Sequence, residues 1–295
     1  MILDGGLATE LEAQGCDLGN ALWSASLLQS NPEAIVKATR AYLDVGAECV
    51  ATASYQASRD GFATRGFSAI EADELMLLSV ELAKRARDDF LKDNPGLVFA
   101  PLVAASIGPY GAMLHDGSEY SGVYGVTAET LRSFHASRLA LFDSCGADVL
   151  ALETIPSKLE AEVLAGLLIE CSTPAWVSFS CRDGAHVVDG TPLEGVAAIF
   201  ADHPTVVAVG INCTPPQFAP ELVARLRGAV PDKAIMAYPN SGETYHVEDN
   251  SWSGTVTPGD CAEAARAWVD AGAKIVGGCC RMGPNTFGLS AMRSG

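Results

Sequence analysis

Positive charge is scarce in this chain: 19 Lys and Arg stand against 36 Asp and Glu, a formal net charge of −17 over 295 residues. A surface of that sign repels phosphate backbones and anionic lipid, which argues against nucleic-acid and membrane-surface roles. Long apolar segments are missing too. The longest uncharged run, residues 94–114, is broken by Pro95, Pro101, Pro109, Gly96, Gly108 and Gly111, whereas a membrane-spanning helix needs about 20 predominantly apolar residues. No basic stretch opens the chain, and Asp4, Glu10, Glu12 and Asp17 fall near its start. Neither a secretory nor a transit signal fits that pattern, so the expected location is the cytoplasm. Familiar site signatures are absent as well. No CxxC spacing occurs, which removes zinc ribbons and thioredoxin-type redox motifs. His115, His135, His186, His203 and His246 form no HxH or HExxH pair, so each reads as a surface or helix-packing residue. No GxGxxG follows the first strand-like run, against the usual dinucleotide-binding fold.

What is present is a repeating pattern. Hydrophobic residues make up 48% of the chain, and a polypeptide this long can bury about three quarters of its unfolded surface. Short apolar runs recur at 1–3, 49–53, 98–105, 148–152, 175–180, 206–211, 234–238 and 274–276. They are nearly continuous in apolar residues, as strands buried on both faces of a parallel sheet are. Helical stretches separate them. Asn31-Pro32 and Thr257-Pro258 place a capping residue before a proline at the first helical position. Ser68-Ala69-Ile70-Glu71 and Ser157-Lys158-Leu159-Glu160 are capping-box patterns. Gly46, Gly146 and Gly272 each sit just ahead of a strand, where glycine supplies a left-handed helix end. Eight strands alternating with helices, without a linker, predict an α/β fold: a single (β/α)8 barrel, a TIM barrel, over residues 1–295. A short helix over 284–292 is expected to end it.

Active sites of such barrels form at the carboxyl ends of the strands, and polar residues concentrate there in this sequence. Nine cysteines, an odd number, fit a reducing compartment with free thiols or thiolate ligands. Cys279 and Cys280 are adjacent at the last strand end, after Gly277 and Gly278, which allow the backbone to bend so that both face one ion. Cys213, at the end of the sixth expected strand, lies near them across a small barrel mouth. Three thiolates with one open position suit a catalytic Zn²⁺ better than a closed structural site. Cys16, Cys49, Cys145, Cys171 and Cys261 read as ordinary buried thiols, with Cys181 less settled. Asp4 and Glu153 end apolar strands, and each is either a solvated terminus or a partner for a substrate cation. Asn212 orients a substrate or ties a loop.

These residues resemble the zinc-dependent homocysteine S-methyltransferase family. Asp4-Gly5-Gly6, Gly210-Ile211-Asn212-Cys213 and Gly277-Gly278-Cys279-Cys280-Arg281 carry the resemblance, which runs over essentially the whole chain. Leu22-Trp23-Ser24, Thr52-Ala53-Ser54-Tyr55-Gln56, Gly108-Pro109-Tyr110-Gly111, Asp116-Gly117-Ser118-Glu119-Tyr120 and the 238–243 segment are similar to the branch using S-methylmethionine or S-adenosylmethionine. The resemblance implies Cys213, Cys279 and Cys280 as ligands of Zn²⁺. It implies Asp4 and Glu153 at the amino group of homocysteine, and the backbone around Gly5 and Gly6, with Thr52, at its carboxylate. The betaine-using branch has a tyrosine where this chain has Gln56, which makes a sulfonium the expected donor and puts that branch's tetramer in doubt, leaving a monomer or dimer.

The chemistry fits independently of the resemblance. A free thiol has a pKa near 8.5, so only a few per cent is thiolate at neutral pH. Zinc coordination deprotonates it outright. A sulfonium leaves as a neutral thioether and needs no general acid, so what remains is in-line positioning. Trp23, Tyr55, Tyr110, Tyr120 or Tyr124 would hold the sulfonium by cation–π contact, with ordinary packing as the competing reading; Gln56 joins the expected donor contacts. The competing functional readings are a selenocysteine acceptor or betaine donor on the same fold, and a non-catalytic zinc or thiol protein.

Overall fold

The computed structural model describes residues 1–18, 23–246, 251–254 and 258–285. Six strands alternate with helices: β1 (Cys49–Ala51), β2 (Leu102–Ile107), β3 (Val149–Ile155), β4 (Ala175–Phe179), β5 (Val206–Asn212) and β6 (Ala234–Tyr238). A small antiparallel hairpin follows, β7 (Thr244–His246) with β8 (Ser251–Ser253), and then β9 (Ile275–Val276). The main sheet is parallel throughout, in the order β1-β2-β3-β4-β5-β6-β9. Residues at the chain start touch both of its edges: Ile2 bridges to Val276 and Leu3 to Cys49, each in parallel.

Strand periodicity sorts the interior into two cores. Successive strand residues point to opposite faces. Val149 and Ala151 join one cluster with Leu3, Cys49, Ala104, Trp176, Ala208, Met236, Tyr238 and Ile275. Leu150 and Leu152 join the larger cluster shared with helix residues such as Ile35, Leu164 and Leu222. The sheet therefore has an inner face and a helix-covered face. The same parity carries Ser106, Glu153, Ser178, Asn212 and Tyr238 onto the inner face at the strand ends.

Two helix-end patterns appear as expected. Ser68 and Glu71 form a complete capping box on the helix Ala69–Asp93. Gly46, Gly146 and Gly272 have φ of 104°, 72° and 119°, a region that costs glycine little. Other boundaries differ. The strand expected over 98–105 begins only at Leu102, and Val98 is 98% exposed; Pro101 has no amide hydrogen to give a sheet ladder. The third strand runs on through Glu153 to Ile155, with a register shift between Leu152 and Ile155. Asn31 caps its helix without a side-chain hydrogen bond. Thr257, Leu22, and most of the helix expected over 284–292 lie outside the described residues.

Candidate active site

The inner-face ends of the strands enclose a cavity of about 130 Å³. Asp4, Gly5, Gly6, Thr52, Glu153, Asn212, Cys213, Cys279 and Cys280 all border it, as do Tyr55, Gln56 and Tyr120. Tyr110 does not. Its ring packs against Tyr124 and Phe134, at centroid distances of 5.5 and 5.1 Å. Trp23 belongs to the short helix Trp23–Ser26, and its side chain lies outside the described residues.

The sulfurs converge at the cavity wall. Cys213 follows β5 in the left-handed region, with φ of 45°, a conformation that non-glycine residues hold only when their surroundings impose it. Its Cα lies 5.6 Å from that of Cys279, to which it is joined by a disulfide. The Cys280 thiol is 4.0 Å from each of those sulfurs. The three cysteines expected as metal ligands are thus brought together, while two of the sulfurs are bonded to each other. All three lie within 4.8 Å of one another, close enough either to bond in pairs or to share an ion. A tetrahedral ion with metal–sulfur distances of about 2.3 Å spaces its sulfurs by about 3.8 Å. The two distances from Cys280 already match that figure, so the reduced set fits a soft or borderline cation. Among the described residues, no histidine joins the cluster, and an all-sulfur donor set favours zinc or copper(I) over magnesium or calcium. Burial pushes the Cys280 thiol up to about 11, so without a cation beside it the group is protonated at neutral pH.

Close backbone approach holds the cysteine turn against the chain start. Gly278 donates to the Asp4 carbonyl at 3.0 Å and Gly6 to the Met282 carbonyl at 3.0 Å. A Cβ on Gly5 would collide with the Met282 carbonyl, and one on Gly6 would sit 2.7 Å from the Cys279 carbonyl. Both glycines are therefore required by contact. The Tyr42 hydroxyl lies 2.9 Å from the Gly6 carbonyl and 3.0 Å from that of Met282. The helix that starts beside Gly6, Leu7–Ala13, has no side-chain cap.

Two acids face the cavity. Asp4 is buried and accepts from the Ala51 amide at 2.7 Å. Burial raises its carboxyl to about 7; the Ala51 hydrogen bond opposes that shift and the charge of Glu153 adds to it. Glu153 accepts from the hydroxyls of Ser106 and, at 3.1 Å, Tyr238. Burial raises its carboxyl as well, against those two hydrogen bonds. Two carboxyls that both resist ionising, close enough to repel each other, form a ready receptor for one cation. Thr154 sits at φ of 63° beside Glu153, at the register shift. Asn212 holds this distorted segment: its Oδ1 accepts from the Thr154 amide at 2.7 Å and from Ser178 at 2.9 Å, and its Nδ2 donates to Thr154 Oγ1 at 2.7 Å. Of its two expected roles, the loop tie uses most of its hydrogen-bonding capacity. Thr52 is similarly committed. Ser54 donates to the Ser106 carbonyl, so the Thr52–Ser54 contact of 2.6 Å takes the Thr52 hydroxyl hydrogen. As arranged, that hydroxyl has no hydrogen left for a substrate carboxylate.

A buried polar network behind the mouth was not legible as a site residue set. Glu160 was expected to close a capping box with Ser157. Ser157 does accept from the Glu160 amide, but the Glu160 carboxylate turns inward. It accepts from the Tyr110 amide at 2.6 Å and from the Tyr124 hydroxyl at 3.0 Å, and lies 2.7 Å from His135 Nε2. Burial holds His135 below its ordinary value, so the neutral ring donates. Arg138, also buried, donates to the carbonyls of Gly108 and Tyr55 at 3.0 and 3.1 Å. Together these groups fix the two loops that carry Tyr55, Gln56 and Tyr110. A single acid three residues after a serine gave no sign of this.

A parallel α/β scaffold whose strand ends gather three cysteine sulfurs and two carboxyls around one small cavity defines a thiol-based small-molecule site. Comparison with known proteins narrows that class. The family model described as homocysteine S-methyltransferase matches residues 1–288. Homocysteine S-methyltransferase YbgG of Bacillus subtilis is 46% identical over 290 residues, covering 97% of this chain and 92% of its own. A selenocysteine Se-methyltransferase of Brassica oleracea var. italica is also 46% identical, over 97% and 86% of the two chains. The homocysteine methyltransferase MmuM from Escherichia coli, crystallised in a metallated form, superposes with a TM-score of 0.89 at 42% identity, over 100% and 96%. The chain belongs to the homocysteine S-methyltransferase family. Among the described residues, no helix is long and apolar enough to cross a membrane.

Proposed function

We propose that this protein transfers a methyl group from a sulfonium donor, S-methylmethionine or S-adenosylmethionine, to the sulfur of L-homocysteine, giving methionine. The observation that carries this reading is the meeting of Cys213, Cys279 and Cys280 with Asp4 and Glu153 around one cavity. The reduced cysteines hold Zn²⁺, which when bound supplies the positive charge that keeps a substrate thiol deprotonated at neutral pH. Asp4 and Glu153 receive the ammonium of homocysteine, and each ionises more readily with that cation beside it. The backbone around Gly5 and Gly6, with the uncapped turn that follows, receives its carboxylate. Asn212 and Thr52 act as positioning residues: Asn212 locks the Glu153–Thr154 distortion, and Thr52 accepts the Ser106 amide at 3.0 Å. The donor enters on the Tyr55, Gln56 and Tyr120 side, where the tyrosine faces attract the sulfonium. Holding nucleophile, methyl and leaving sulfur in line supplies the rate, because a neutral thioether needs no proton to depart.

The reading includes a (β/α)8 barrel formed by one domain over residues 1–295, with residues 1–3 as its first strand, and a cytoplasmic location that keeps the cysteines reduced. A selenocysteine acceptor is the second reading, favoured by the similarity to a plant selenocysteine Se-methyltransferase. One experiment tests both. Reduced, zinc-loaded protein is given homocysteine or selenocysteine with S-methylmethionine, S-adenosylmethionine or betaine in parallel, and methylated product is quantified. Turnover with betaine and with neither sulfonium overturns the donor assignment. No product with any pair overturns the activity.

A further inference from the structure

Among the described residues, two buried side-chain oxygen atoms close to the cavity have no hydrogen-bond partner. Gln56 borders the cavity and is 4% exposed. Its amide can face only one way. Nε2 donates to the Ala112 carbonyl at 3.1 Å, and a carbonyl cannot donate, so the other atom is the oxygen. That Oε1 is buried without a partner. The second atom is Glu119 Oε2, also buried without a partner. Glu119 lies on the short helix Ser118–Tyr120 and is 5% exposed. Both residues contact the short helix Tyr110–Leu114. The Glu119 amide nitrogen packs so closely on Gly111 that a Cβ there would sit 2.5 Å from it. Gly111 precedes Ala112, to which Gln56 is tied, and Tyr120, next after Glu119, borders the cavity.

A buried acceptor left unpaired is an exception that calls for an explanation. Other polar groups that border the cavity do not share this feature: Ser106, Tyr238, Asn212 and Glu153 are hydrogen-bonded to one another or to Thr154 and Ser178. What the Gln56 wall needs is a ligand that brings N–H hydrogens, and a carboxylate beside an amide oxygen favours one that brings positive charge. Burial raises the Glu119 carboxyl to about 7, and a cation at this wall returns it to the ionised form. The acceptor's own ammonium is already assigned to Asp4 and Glu153.

Resting on the methyl-transfer reading above, we propose that Gln56 and Glu119 recognise the primary α-ammonium of the methyl donor and so determine donor specificity. S-Methylmethionine and S-adenosylmethionine both carry that group. Betaine does not: its nitrogen bears four carbon substituents and no hydrogen, so it can satisfy neither oxygen by hydrogen bonding. Position 56 would then discriminate through a hydrogen bond that one donor class can make and the other cannot.

The test compares S-methylmethionine with its desamino analogue 4-(dimethylsulfonio)butanoate, which keeps the sulfonium and the carboxylate and lacks only the ammonium. Wild-type protein should prefer S-methylmethionine by roughly 10- to 100-fold in kcat/KM, the size expected for a charged hydrogen bond. In Gln56→Met and Glu119→Gln, that preference should shrink about tenfold or more through loss of S-methylmethionine use. Use of the analogue, homocysteine affinity and zinc content should hold steady. Equal use of the two donors by the wild type overturns the proposal without any variant. So does a parallel loss of both donors in the variants, or a weakening of homocysteine binding in place of donor discrimination. If the wild type makes no methylated product from either sulfonium with homocysteine or selenocysteine, the methyl-transfer reading fails. Calorimetric binding of S-methylmethionine against the analogue then decides the ammonium proposal on its own.

Discussion

Replacing Glu153 by Gln removes one charge from the cavity while keeping the shape of the side chain. In the wild type, the carboxylate accepts from the hydroxyls of Ser106 and Tyr238. The amide retains an accepting oxygen for one of them, and the Tyr238 hydroxyl has Ser178 as an alternative partner. The fold should therefore tolerate the change. The loss falls on the ligand: a hydrogen bond to a charged group contributes about 1.5–3 kcal/mol, so homocysteine affinity should drop roughly 10- to 150-fold. Calorimetric titration of zinc-loaded protein measures this, with zinc content unchanged as the control. The pH dependence supplies a second check. Only ionised carboxyls attract the ammonium, and burial holds both Glu153 and Asp4 above their ordinary values, Asp4 at about 7. Wild-type affinity should fall as pH is lowered through that range, and Glu153→Gln should show a shallower fall. An unchanged dissociation constant at neutral pH would refute the reasoning and reduce Glu153 to a strand terminus.

Three further outcomes follow from the geometry. Reduced protein should hold about one zinc per chain, and Ala at Cys213, Cys279 or Cys280 should release it with the fold intact by circular dichroism; full zinc retention in all three single variants would exclude the site. Asp4→Asn should stabilise the ligand-free protein at pH 8. A carboxyl raised from 3.8 to about 7 by folding contributes stability below pH 3.8 that is lost as pH rises through 7. Removing the charge recovers up to about 4 kcal/mol, and an unchanged melting temperature at pH 8 contradicts this. Glu160→Gln leaves Arg138 buried without its nearby acid and disturbs the Tyr110, Tyr124 and His135 contacts. Chemical denaturation should show a loss of about 1.5–3 kcal/mol, the range for a hydrogen bond to a charged group; a loss under 1 kcal/mol would show that the network is not needed to hold the loops.

The alternation of apolar runs with capped helices was enough to read the parallel α/β architecture, because a strand buried on both faces and an amphipathic helix each leave a local signature. The positions of Asp4, Glu153, Cys213, Cys279 and Cys280 at strand ends followed from the same periodicity, since parity along a strand fixes which face a residue joins. Local sequence could not decide which side chains are already occupied. That Thr52 and Asn212 use their hydrogen bonds on Ser54, Ser106, Ser178 and Thr154 depends on neighbours from other strands, brought into register by the ladder. The inward turn of Glu160 depends on His135 and Tyr124 from other segments of the chain, and it overrode a local capping pattern because a carboxylate gains more from three donors than from one amide. The outward packing of Tyr110 was decided by Phe134 and Tyr124 in the same way. Sequence determined the elements and the chemical types they carry; the tertiary structure alone decided which polar atoms remain free for a ligand, because hydrogen bonds are satisfied between segments that only folding brings together.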